Sequence, residues 1–233
     1  MRYFFSKKRH LALPFLLFFA TPSFSKAKVS KAAIGSIAEK KSLYNQLNLA
    51  ALGLKQEIFE KALAGWDVLY CHQSLQKAGL LSIADMSQSS NSKRLYIIDM
   101  EKKIVLFNTY VAHGRNSGEE FAKSFANKAN SFKSSLGFYI TGDTYQGAHG
   151  LSLRLKGIEK GINDGAEQRG IVIHGAPYVS ESFIKQCGRL GRSQGCPAVP
   201  QELCTPIVNH IKQGSCFYMY YPDKNYFKHT SMG

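Results

Sequence analysis

"RLYIIDMEKKIVLFNTYVA", Arg94 to Ala112, is the stretch on which the reading of this chain turns. Leu95–Asp99 and Ile104–Ala112 are dense in β-branched and aromatic residues, and "MEKK" between them supplies a hairpin turn. The same texture continues to the end of the chain. "GFYIT" (137–141), "LSLRL" (151–155), "GIVIH" (170–174) and "CFYMYY" (216–221) all read as strands separated by short helices. The fold class expected is mainly β.

Upstream the period changes. Ile58, Phe59, Ala62, Leu63, Trp66 and Leu69 recur at helical spacing, with Lys55, Glu57, Glu60 and Lys61 falling mainly between them. Residues from about Ser30 to Gln88 read as two or three helices, with Gly53 and Gly79 as punctuation. This gives a small α-helical N-terminal region over 26–90 and a β domain over 91–228. Near the C-terminus, Thr205 as cap, Pro206 at the first helical position and Gly214 as closure predict one further helix.

The first 25 residues have a different character. Arg2, Lys7, Lys8 and Arg9 precede the uncharged run "LALPFLLFFA", and Ser23 and Ser25 stand in a small-x-small arrangement. That is the pattern of a secretory signal peptide over 1–25, with the mature chain beginning near Lys26. The run is shorter than the roughly 20 apolar residues of a spanning helix, so no integral span is expected in the mature form. The localisation expected is periplasmic or secreted. The formal charge of +14 favours polyanionic partners. Outside the cell those are wall polymers or anionic membrane surfaces, and no nucleic-acid motif is present. Five cysteines (Cys71, Cys187, Cys196, Cys204, Cys216) make an odd number, so pairing would leave a free thiol or an intermolecular bridge.

"GRSQGC", 191–196, places one of them on a turn of glycine and small polar residues, stopped by Pro197. A packing cysteine wants apolar neighbours; a nucleophile wants this kind of access. His174 ends an apolar strand directly before Gly175, where a strand delivers a side chain to a site. A cysteine nucleophile needs a base, something to orient that base, and donors for the developing oxyanion. An imidazolium beside the sulfur would lower the thiol pKa. Gly195 would open the approach, and the N–H groups of Gly195 and Cys196 are the expected oxyanion donors. Two other uses of these residues stand beside this one. One is a zinc site of His174, Cys196, His149 and Cys187, whose spacing matches no usual ligand pair; the other is a Cys187–Cys196 disulfide.

At these residues the sequence resembles the murein L,D-transpeptidase catalytic domain family. The signature is His174-Gly175, a gap, then Ser193-Gln194-Gly195-Cys196. "RLYIIDMEKKIVLFNTYVAHGRNSG", "SSLGFYITGDTYQGAHGLSLRLKGIEKGIND" and "GRLGRSQGCPAVP" extend it over about Phe59 to Tyr226. Two positions depart from the broader pattern: Gln194, where a histidine is frequent, and Ala198, where an arginine is. The resemblance implies a β-sandwich or barrel and a cysteine acyltransferase acting on peptidoglycan stem peptides without metal or organic cofactor. It assigns Cys196 as nucleophile, His174 as base and the Gly175 carbonyl as its orienter. Tyr145, His149, Tyr178 and Arg192 are candidate substrate-binding residues, Arg192 for a peptide carboxylate. A hydrolase with the same site (an L,D-carboxypeptidase or amidase) and a non-catalytic wall-binding protein are the alternatives.

Overall fold

The structure, a computed structural model, describes residues 37–232. The proposed signal segment lies outside them. Two helices, α1 (Ile37–Gln46) and α2 (Gln56–Cys71), come first. The strands are β1 (Leu80–Asp85), β2 (Leu95–Asp99), β3 (Ile104–Thr109), β4 (Gly137–Gly147), β5 (Gly150–Gly157), β6 (Val172–Ala176), β7 (Ala198–Pro200) and β8 (Cys216–Tyr220). Three more helices complete the order: α3 (Glu181–Cys187), α4 (Gln201–Ile211) and α5 (Lys224–His229).

All eight strands form one sheet, in the order β3-β2-β1-β8-β4-β5-β6-β7. The mainly β expectation holds. Central strand β8 shows why the sheet sits where it does. Cys216, Tyr218 and Tyr220 enter the core beneath α1 and α2, while Phe217 and Met219 enter a second core that includes α4 residues Ile207, Val208 and Ile211. A strand covered on both faces reads as a continuous apolar run, and "CFYMY" is one. The sheet also curls toward closure: Ala112, just beyond β3, exchanges backbone hydrogen bonds with Ala198 of β7 at 2.8 and 3.3 Å. That contact joins the two edges of the sheet and lays residues 112–118 beside the turn that carries Cys196.

Two expectations need correction. Residues 80–85, read as part of the helical region, are strand β1, paired with β2 and β8. Both faces of "LLSIAD" are covered, so it shows no alternation, and a short apolar run does not separate strand from helix. The C-terminal helix begins at Gln201, which leaves Pro206 inside α4. An interior proline costs about 3 kcal/mol. The turn added ahead of the proline brings Cys204 onto the same buried face as Ile207, Val208 and Ile211.

Every apolar residue of the helical stripe in α2 is buried, and Trp66 also donates from Nε1 to the Ala78 carbonyl at 2.9 Å. Gly65 lies on the same face, against β4, where a Cβ would fall 2.1 Å from Phe138 Cζ. Helix propensity alone makes Gly65→Ala stabilising by about 1 kcal/mol. Overpacking against a buried ring costs about 1–3 kcal/mol. The expected outcome in urea unfolding is net destabilisation; a net gain in stability would contradict this packing.

Candidate active site

Strand β6 turns alternate residues to opposite sides. Ile171 and Ile173 enter the core that α4 covers, and Gly175 meets α4 closely enough that a Cβ would lie 3.0 Å from Cys204 Cβ. His174 faces the other way, into a cleft of about 550 Å³ that Cys196 also lines. The parallel pairing of β6 with β7 sets His174 opposite Ala198. Two residues back, Cys196 falls opposite Val172, whose N–H donates to the sulfur at 3.5 Å. Histidine and cysteine therefore occupy neighbouring positions on one face.

The His174 ring is buried and its Nδ1 lies 3.0 Å from the Gly175 carbonyl. A carbonyl oxygen only accepts, so Nδ1 carries the proton and Nε2 keeps its lone pair. On its outer side the ring stacks on His149, with centroids 4.6 Å apart. Burial lowers the pKa of His174; the bond to Gly175 works against this, and the nearby charge of His149 adds to it. Cys196 is half-buried, and burial raises its pKa against opposing contributions from the Val172 N–H and Arg169. Its Sγ lies 3.6 Å from the Gly170 carbonyl oxygen, a potential acceptor for the thiol. Burial thus works against the ion pair expected from the sequence. Both environments favour neutral thiol beside neutral imidazole.

Ser193 builds the turn. Its hydroxyl accepts from Gly195 N–H at 3.0 Å and donates to the Cys196 carbonyl at 2.6 Å. The Gly195 N–H, one of the two expected oxyanion donors, is therefore engaged by Ser193. The requirement for glycine at 195 is likewise internal. Its φ is +126°, and a Cβ would sit 2.9 Å from the Lys133 carbonyl. Gly114 approaches from the other side, where a Cβ would come within 2.8 Å of Gly195 Cα. Ser134 donates to the Gly195 carbonyl and accepts from Gly114 N–H, both at 3.0 Å.

Behind this layer Arg94 is fully buried. It donates to the Val111 and Gln88 carbonyls, and its Nη2 lies 2.8 Å from His113 Nδ1. Burial first, and the Arg94 charge second, push His113 down to about 3. His113 is thus a neutral structural ring whose backbone carbonyl accepts from Ser193 N–H at 3.0 Å.

Tyr145, His149, Tyr178 and Arg192 all line the cleft. Arg154 lies over the Tyr145 ring at 4.6 Å. Burial, with Cys196 as the second cause, pushes Tyr178 up to about 12. Arg192 is already committed to Glu119 at 2.6 Å and to the Arg115 and Gly118 carbonyls, so it is not waiting for a peptide carboxylate. All five cysteines are free thiols, so Cys187 does not close onto Cys196. Sequence reasoning missed Ser134, which is 61 residues from its partner Gly195, and Arg169, a second cleft cation. The only available signal for Arg169 was its place directly ahead of "GIVIH".

A sheet-built domain that gathers a cysteine and a tautomerically fixed histidine in one cleft is the class defined so far. The model of the L,D-transpeptidase catalytic domain matches residues 50–220, and the chain belongs to that family. Similar solved structures include an L,D-transpeptidase from Mycobacterium smegmatis, at 12% identity and a TM-score of 0.39, with 61% of this chain and 59% of that one covered. One from Mycobacterium tuberculosis H37Rv shares 13% identity at a TM-score of 0.37, covering 61% and 58%. The helical cell shape determining protein Pgp2 of Campylobacter jejuni shares 17% at 0.41, covering 62% and 48%. This chain thus spans less than two thirds of each of them. No curated protein matches the sequence.

The resting state has a direct readout. Alkylation of Cys196 against pH, followed on its own peptide by mass spectrometry, is expected to show a midpoint above that of an ordinary thiol. A midpoint below the ordinary value would mean a preformed thiolate–imidazolium pair.

Proposed function

We propose that this chain is an exported peptidoglycan L,D-transpeptidase working through a Cys196 thioester. Cys196 attacks the carbonyl of the L-centred third residue of a stem tetrapeptide. His174 Nε2 takes the thiol proton and returns it to the departing D-alanine nitrogen. The thioester then passes to an amine of a second stem. The observation that carries this reading is the His174 tautomer: Nδ1–H held by the Gly175 carbonyl leaves Nε2 unprotonated in the cleft that Cys196 lines. A general base must be unprotonated at the working pH, and the lowered pKa of the buried ring keeps it so.

The substrate class fits the charge of the cleft. Its lining includes Arg169, with no aspartate or glutamate, and the terminal D-alanine of a stem peptide brings a carboxylate. Family membership supports peptidoglycan as the target. Export is supported by the basic start, the apolar decapeptide and the small-x-small site of the first 25 residues. Among the described residues no helix is long and apolar enough to cross a membrane. The Cys196 N–H is the donor assigned to the oxyanion.

Incubation with disaccharide-tetrapeptide is expected to add an acyl mass to Cys196 and then to yield cross-linked dimer. Tripeptide without dimer would mean that water is the acceptor and the enzyme a carboxypeptidase. Cys196→Ala and His174→Ala are expected to abolish acylation while keeping the wild-type unfolding transition. Turnover retained in Cys196→Ala would end the mechanism. The acid limb of the rate profile is expected below the ordinary imidazole value, because protonation of His174 removes the base.

A further inference from the structure

Arg169 stands in the loop that leads into β6, and its guanidinium is half-buried with no carboxylate beside it. The ion pairs among the described residues join Lys40 to Asp67, Lys102 to Asp99, and both Arg189 and Arg192 to Glu119. Arg169 donates instead to neutral acceptors. Nη1 reaches the Ala126 carbonyl at 2.8 Å and the Ser135 hydroxyl, and Nη2 reaches the Lys133 carbonyl at 2.6 Å and the Ser131 hydroxyl at 3.3 Å. These four acceptors fix the fork in place without neutralising it. Taking a cation partly out of water with no counter-charge carries a cost that hydrogen bonds only partly return.

The position of the fork shows what the charge faces. Nη2 lies 3.4 Å from the point where a side chain on Gly195 would begin, and Gly195 directly precedes Cys196. The residue after Arg169 is Gly170, whose carbonyl oxygen lies 3.6 Å from the Cys196 sulfur. Two acidic groups act on Arg169: the Tyr139 phenol and the Cys196 thiol. Tyr139 is fully buried, donates to the Ser135 carbonyl at 2.8 Å and is driven far above the ordinary phenol range by that burial. It stays neutral, so Cys196 is the one of the two that can give up its proton to His174.

The other groups around the cleft do not offer the sulfur a standing cation. His174 on β6 is neutral at rest. Tyr178 follows β6 and is a phenol pushed up to about 12. Arg192, on the same turn as Cys196, is paired with Glu119. From the β4–β5 hairpin come Tyr145, under Arg154, and His149, exposed and stacked on His174.

Taking Cys196 as the nucleophile, we propose that Arg169 is the standing counter-charge of its thiolate. When the Sγ–H bond breaks and the proton passes to His174 Nε2, the charge left on sulfur meets a guanidinium already in place. The arginine acts through the sulfur as a positioning charge and transfers no proton itself. His174 is then needed to accept the proton, and its own positive charge is not the sole support of the thiolate. The same fixed charge would favour the thiolate each time the thioester is discharged.

The test is the pH profile of Cys196 alkylation by iodoacetamide, read on its own peptide so that exposed Cys71 and Cys187 do not contribute. Wild type, Arg169→Lys, Arg169→Gln and Arg169→Met are compared, with thermal unfolding as the control for folding. Gln and Met are expected to raise the midpoint by about one pH unit or more, which is about tenfold slower reaction on the acid limb. Lys is expected to hold the wild-type midpoint. Neutral variants that superimpose on wild type, or a Lys variant that shifts as far as Gln, overturn the proposal. If neither neutral variant folds, Cys196→Asp and Cys196→Asn are compared with Arg169 intact. The aspartate is then expected to be the more stable, with its advantage lost as pH falls through its own pKa; equal stabilities overturn the proposal. These outcomes are separate from those for the nucleophile: turnover in Cys196→Ala removes the thioester whatever Arg169 does, and a flat Arg169 series leaves the thioester standing.

Discussion

Strand β6 is hydrogen-bonded on both sides, antiparallel to β5 and parallel to β7, and that register fixes what the cleft contains. Side chains alternate along a strand, so a slip of one residue would exchange the two faces. His174 would enter the apolar core beneath α4, and Ile173 would take its place in the cleft. The core on the far side of β6 prevents this. Ile171 and Ile173 are buried with Val208 and Ile211, and burying a polar imidazole there without a partner would cost about 1–3 kcal/mol. The hydrophobic packing of α4 thereby aims a polar side chain that it never touches.

The cysteine is held by a different device. Its turn has few side chains of its own to pack, so neighbouring segments supply the rigidity through backbone and hydroxyl contacts. Ser193 ties the turn to itself, Ser134 ties it to the 131–136 segment, and the His113 carbonyl ties it to the stretch that closes the sheet. Arg94 anchors that stretch from behind. The result is a sulfur with one N–H donor and one carbonyl acceptor, in the cleft that the unprotonated imidazole nitrogen also lines. Neutral partners suit a cleft from which water is partly withdrawn. In the proposed mechanism charge is created there only when substrate arrives, and Arg169 would meet it.

How much of this the sequence disclosed follows from the range of each interaction. The stripe of α2 was legible because six apolar residues at helical spacing all face one core. Strands β2, β3, β4, β5, β6 and β8 were legible from composition. Strand β1 was not, because burial on both faces removes the alternation that would have marked it. Strand β7 has three residues, too few to carry a signal. At the site, Cys196 and His174 stood out because glycines flank both. Their supports did not, since Ser134, Arg94 and Arg169 reach the turn across tens of residues of chain. Ser193 and Gly195 were singled out for chemistry, and the structure shows what they do locally: one closes the turn, and the other lets two backbones approach.

The central claim is that a backbone carbonyl, with no side-chain acid, holds His174 as a neutral base with its proton on Nδ1. Nitrogen-15 NMR of the His174 ring through a pH titration tests this most directly. The account predicts a neutral ring at pH 7, protonated at Nδ1, that titrates below the ordinary imidazole value and does so in Cys196→Ala as well. An imidazolium at pH 7 that becomes neutral when the sulfur is removed would contradict it.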